Sequence, residues 1–192
     1  TIADTARVKM AKIQSLLHQG DYAGAIEIGL NFVQGMGVPI TRNPSPEESI
    51  RYLKETADWL TPSRIEGLND LPDAPDDIAL IMEVALVING ATFNSDISFH
   101  LYFVSQIARL CIEKGLSPWA PVTLMTFTAD LSATAHDIPK TRLLAEKIMQ
   151  LFEERFRADS PVAPLNLLLG GFILHRYGHL NHTMHVFVEG TQ

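Results

Sequence analysis

Apolar positions recur at helical spacing along nearly the whole chain, and no hairpin dipeptide separates two alternating runs. The pattern therefore predicts helices joined by short turns. In the first, over 4–19, the apolar stripe is Val8, Met10, Ala11, Ile13, Leu16 and Leu17. Gly20-Asp21 stops it, and a second helix over 22–36 turns Ala25, Ile26, Leu30 and Val33 inward until Gly37-Val38-Pro39. Ser45-Pro46-Glu47-Glu48 supplies an N-cap, a first-turn proline and acidic first-turn residues for a third helix over 46–60. Further helices are predicted over 78–93, 97–114, 118–135, 139–158 and 162–177, with a last partial one from 181. Segment 37–46, with three prolines and few apolar residues, and segment 61–76, with Pro62, Gly67, Pro72 and Pro75, read as loops within a single domain, 1–192.

Three joints share a pattern of turn, polar residue, large apolar residue and, one helical turn later, a small residue. They are Gly20-Asp21-Tyr22-x-x-Ala25, His136-Asp137-Ile138-x-x-Thr141 and Gly178-His179-Leu180-x-x-Thr183. The large residue is expected to plug the gap to the preceding helix, and the small one to let two helices approach. Their spacing fits a period of about forty residues, the length of a stacked helix pair. The predicted fold is all-α, a tetratricopeptide-like right-handed stack of antiparallel helix pairs.

Charge and cysteine content narrow the function. The formal charge is −7 and no Lys/Arg run exists, which disfavours nucleic acid and anionic membrane as partners. The most apolar stretch, 78–91, is interrupted by Glu83 and is shorter than the roughly 20 residues of a membrane span, so a buried helix is expected. The single cysteine, Cys111, lies in an apolar run and reads as a small core residue of a cytoplasmic protein. The chain opens Thr1-Ile2-Ala3-Asp4 without a basic and apolar leader, and reads as a piece of something longer.

Phosphate loops, dinucleotide-binding glycine patterns and kinase motifs are absent from the sequence. Ser117 and Ser132 lie outside any nucleophile-elbow context. The acidic group Asp70, Asp73, Asp76 and Asp77 suits a helix N-terminus better than a calcium loop. Four C-terminal histidines offer a metal alternative, with His179, His182 and His185 as ligands. However, Gly178 separates His175 from His179, and no nearby Cys, Asp or Glu completes a tetrahedral set. The expectation is no metal and no cofactor. Should a small ligand bind, Trp119, Phe127 and His175 are the expected pocket.

The runs Leu71-Pro72-Asp73-Ala74-Pro75-Asp76-Asp77-Ile78, Leu110-Cys111-Ile112-Glu113-Lys114-Gly115-Leu116-Ser117-Pro118 and Gly171-Phe172-Ile173-Leu174-His175-Arg176-Tyr177-Gly178-His179-Leu180, with Val188-Glu189-Gly190, carry a resemblance. Over about 10–192 the chain resembles the helical-repeat region of large multi-domain hybrid sensor kinases. In these a Ser/Thr-kinase-like domain and an AAA/NACHT-like ATPase precede the region, and a GAF sensor and histidine kinase follow it. The resemblance implies a non-catalytic scaffold for protein–protein or interdomain contacts in signal transduction, with no catalytic residue of its own. A small-ligand-sensing regulatory domain is the alternative, and a metal-dependent helical enzyme the third.

Overall fold

The computed structural model describes residues 1–135, 137–159, 161, 165, 168 and 169. The fold is all-α. Its elements are α1 (Ile2–His18), α2 (Tyr22–Gly35), α3 (Pro46–Trp59), α4 (Pro62–Glu66), α5 (Asp76–Ser95), α6 (Ile97–Lys114), α7 (Ala120–Ala135) and α8 (Ile138–Leu151). A 3-10 turn over Gly67–Asp70 follows α4, and a wider π turn over Phe152–Phe156 extends α8. Predicted helix 162–177 and the partial helix from 181 lie almost wholly outside the described residues.

Turn chemistry sets most boundaries. Thr1 and Ser45 form reciprocal capping boxes with Asp4 and Glu48, each satisfying two otherwise unpaired backbone groups. Asp21, Asp96 and Asp137 cap α2, α6 and α8 through hydrogen bonds from Gly24, Phe99 and Lys140 amides. Segment 61–76, expected as a loop, instead carries α4, whose cap is Thr61 followed by Pro62. Five residues are too few for an apolar periodicity to register, so composition alone misread them.

Helices α1/α2, α5/α6 and α7/α8 form hairpins, with α2 and α1 packed on α5, and α7 packed on α6 and α5. Helix α5 meets the length and hydropathy of a membrane span; in this fold α1, α2, α6 and α7 pack on it and bury 39% of its apolar window. Helix α2 reaches it closely because Gly29 lacks a side chain: a Cβ there would lie 2.6 Å from Ile88 Cγ2, in the core. In α1, Ala6 and Ile13 are the fully buried residues and Val8 is 70% exposed. The predicted stripe is wider than the buried face, since Val8 and Ile13 are five positions apart and so lie well apart around the helix.

Residues 37–75 are inserted between the first and second hairpins. Helix α3 leaves α2 and packs on α6 and α7, while α4 and the 3-10 turn pack on α8. Arg42 ties the start of this insertion to α2 by reaching Glu27, Asn31 and Gln34. Polar contacts fix the rest to α8. Lys140 Nζ donates to the Ala57 carbonyl at 2.8 Å, and Lys147 pairs with Glu66 at 2.6 Å. Arg155 donates to the carbonyls of Asn69 and Leu71 and to Asp73 Oδ1. A single parallel bridge, with Leu116 N to Pro72 O at 2.9 Å and Ala74 N to Leu116 O at 2.7 Å, joins the insertion to the α6–α7 turn.

Gly115 makes that bridge possible. Its φ of 110° disfavours any side chain, and a Cβ would lie 2.8 Å from the Pro72 carbonyl oxygen. Gly115→Ala is expected to lose about 2–3 kcal/mol in urea unfolding, from backbone strain and the forced shift of residues 72–74. A loss below about 0.5 kcal/mol, the size of an ordinary surface change, would show that the bridge is dispensable.

Candidate functional site: a buried histidine and aspartate on a cleft

The three hairpins share a junction more regular than the sequence pattern alone revealed. Each second helix opens on an Asp cap followed by a large apolar residue: Asp21-Tyr22, Asp96-Ile97 and Asp137-Ile138. Those apolar residues are exposed, at 38%, 52% and 44%, so they do not plug a gap between helices. The buried position lies four residues after the Asp. It holds Ala25 in α2 and Thr141 in α8, both fully buried, as the spacing predicted. In α6 the same position holds His100, 1% exposed. A large titratable ring therefore occupies a place where the other two hairpins carry a small side chain.

His100 sits among α5, α6 and α7. Its Nδ1 lies 2.9 Å from Thr92 Oγ1 on α5, and its Nε2 lies 3.2 Å from Asp130 Oδ2 on α7. The Phe93 ring meets it edge-on at 5.2 Å. Asp130 is the only charged residue of α7, and its side chain is 11% exposed. A carboxylate that deep in an apolar helix requires a partner. A lone acid in an otherwise uncharged helix was the signal available in the sequence.

Proton bookkeeping follows from the distances. Thr92 Oγ1 lies 2.7 Å from the Asn89 carbonyl, a separation that needs the hydroxyl hydrogen between the two oxygens. Thr92 therefore offers His100 a lone pair, and Nδ1 carries the hydrogen that binds it. Nε2 of a neutral ring then faces Asp130 Oδ2 with a lone pair of its own. The two atoms are close, yet among the described residues neither has an aligned hydrogen-bond partner. Both atoms are closed off from the adjoining cleft and face each other, so one proton lying between them would satisfy the pair. That cleft has a volume of about 280 Å³ and is lined by Asn89, Gly90 and Phe93 of α5, His100, Thr126, Ala129 and Asp130, with Leu168 at its edge.

The geometry does not suit a Thr nucleophile. Thr92 is fully buried and its hydrogen is committed to a backbone carbonyl. Cys111 is equally remote from chemistry: burial pushes its thiol up to about 12, so it stays protonated and unreactive.

Of the residues expected to form a pocket, Phe127 is completely buried in the core and Trp119 is half-buried just before α7. Neither lines the cleft, and His175 lies outside the described residues, as do His179, His182 and His185. Among the described residues no group of three or more His, Cys, Asp or Glu is placed to hold a metal. Of the acidic group, Asp76 and Asp77 occupy the first turn of α5, and Asp73 pairs with Arg155 at 2.6 Å. Comparison with protein-family models, curated proteins and solved structures finds no match.

Two substitutions separate the tautomers. Thr92→Val removes the acceptor for Nδ1–H and is expected to cost about 1–3 kcal/mol, the penalty for a buried unpaired donor. Asp130→Asn places an amide N–H opposite the Nε2 lone pair and is expected to leave thermal stability unchanged or raised. The reverse order, with Asp130→Asn costly and Thr92→Val neutral, would assign the hydrogen to Nε2.

Proposed function

We propose that this chain is a non-catalytic, tetratricopeptide-like scaffold that docks a partner protein or a neighbouring domain, in the setting of a cytoplasmic multi-domain signal-transduction protein. The observation that carries the reading is the succession of three helix hairpins. Each opens its second helix on Asp, an exposed large residue and a buried fourth position, and each first helix packs on the first helix of the next hairpin. Repetition of one helix pair is the construction of solenoid scaffolds, in which the binding surface is spread over several units. The first helices also present exposed apolar side chains, Val8 on α1 and Phe93 on α5, which suit contact with another polypeptide. The insertion braces the second and third hairpins on their other side, leaving α1 and α5 uncovered by it.

A photo-crosslinking side chain placed at Val8 or Phe93 in the full-length protein that carries this segment should yield adducts to one partner or one flanking domain. The same group at Arg51, exposed on the insertion, should yield few. Adducts from Arg51 alone would place docking on the insertion, and a lack of adducts at all three positions would contradict a scaffold role.

A further inference from the structure

The three hairpins turn at one end of the stack. Arg7, far from the first turn, acts on Glu83, far from the second, while Gly29, nearer the first turn, meets Ile88, nearer the second. Helices α5 and α7 also rise together. Ala85 and Asn89 line a small void with Thr123 and Thr126, and further along Phe93 and Asp130 meet the same His100 ring. Seven large apolar side chains stand exposed among the described residues, and four of them, Tyr22, Phe93, Ile97 and Ile138, are at this turning end. Three of the four hold the same position, directly after the Asp cap, so they recur once per hairpin.

Charge then identifies what covers them. Segments 17–24, 89–98 and 131–139 build this end and contain no Lys or Arg, but three acids, Asp21, Asp96 and Asp137. Each acid accepts one backbone amide hydrogen as a cap, and none is paired with a cation among the described residues. Lys140, the cation nearest in sequence, is turned to the Ala57 carbonyl at 2.8 Å and to Asp58 at 3.8 Å. Of the two histidines in these segments, His18 is bonded through Nδ1 to the Gln14 carbonyl and His136 lies outside the described residues. Three helix N-termini and three C-termini meet here, so their dipoles offset one another and the carboxylates set the sign.

We infer that this end docks a basic, apolar polypeptide segment, one in which Lys or Arg are interspersed with large apolar side chains. The inference rests on the scaffold role proposed above and adds to it a place and a partner chemistry. A second copy of the chain would bring the same acids on a body of formal charge −7, and an anionic lipid surface or nucleic acid would be repelled likewise. A neutral apolar segment would cover the row but leave three carboxylates against it without counter-charge. The spacing agrees with an extended segment. Packed helices lie roughly 8–10 Å apart, and a polyproline-like chain returns a side chain to the same side about every 9 Å, three residues of about 3.1 Å each. An apolar residue at every third position would meet Tyr22, Ile97 and Ile138 in turn, with basic residues between them for the acids.

The test is fluorescence-anisotropy titration of the full chain with labelled peptides that repeat Leu-Lys-Lys, Ser-Lys-Lys or Leu-Glu-Glu. Leu-Lys-Lys should bind at least about ten-fold more tightly than either of the others. Replacing the acids together, Asp21→Asn, Asp96→Asn and Asp137→Asn, removes their charge but keeps the caps, because asparagine caps a helix as well as aspartate. That variant should fold and bind Leu-Lys-Lys roughly ten-fold more weakly, the combined loss of three modest surface pairs. Ile97→Ser, at an exposed position, should fold and weaken the same peptide. Undiminished binding in either variant, equal binding of Leu-Glu-Glu, or no binding at millimolar peptide would overturn the inference. A dimer that Ile97→Ser dissociates would overturn it too, by assigning this end to a second copy. The two readings fail separately: crosslinked adducts from Val8 without Leu-Lys-Lys binding remove this inference alone, and Leu-Lys-Lys binding without adducts removes the scaffold role and leaves a peptide site here.

Discussion

The need to cover α5 organises this molecule. Its 20 residues are apolar around most of the circumference, so one neighbour cannot remove its surface from water. Four helices share the task. The α1/α2 hairpin approaches from one side through the gap left by Gly29, and α6 and α7 pack on others, leaving Phe93 exposed. At roughly 25 cal/mol per Å² of buried apolar surface, this packing is the main favourable contribution, and the polar seams between α8 and the insertion chiefly fix position.

Against that apolar background the Thr92–His100–Asp130 chain has two consequences. It ties α5 to α6 through the Thr92–His100 hydrogen bond and sets Asp130 of α7 within 3.2 Å of the same ring, so polar contact as well as hydrophobic fit bears on how the three helices meet. It also sets a buried histidine and aspartate beside a cleft, in a place where simple stability would favour a small residue such as Ala25. Sites where a local packing preference is overridden are where functional demands are expected to show.

Helix positions were largely legible in the sequence because Asp, Ser, Thr, Pro and Gly mark the ends chemically, independently of tertiary context. The junction shared by the three hairpins was legible only in part. Aligning joints on the residue before the polar position gave Gly20 and His136, and hid the junction at Asp96, where Ser95 stands in their place. Its true invariants are the Asp cap and burial four residues later, and the second of these is visible only once neighbouring helices are in place. The insertion at 37–75 also separates the first junction from the second, so the period is broken at that point. The site was least legible: Thr92, His100 and Asp130 come from three helices, and no spacing along the chain relates them.

The most direct test of α5 as the organising element is native-state hydrogen exchange resolved by residue. Amides of α5, α6 and the middle of α7 should exchange only through global unfolding, with a common free energy that follows denaturant like the whole protein. Those of α3 and α4 should open in a smaller unit of lower free energy. Early exchange of α5 while the insertion stays protected would contradict the account and place the structural centre in the insertion instead.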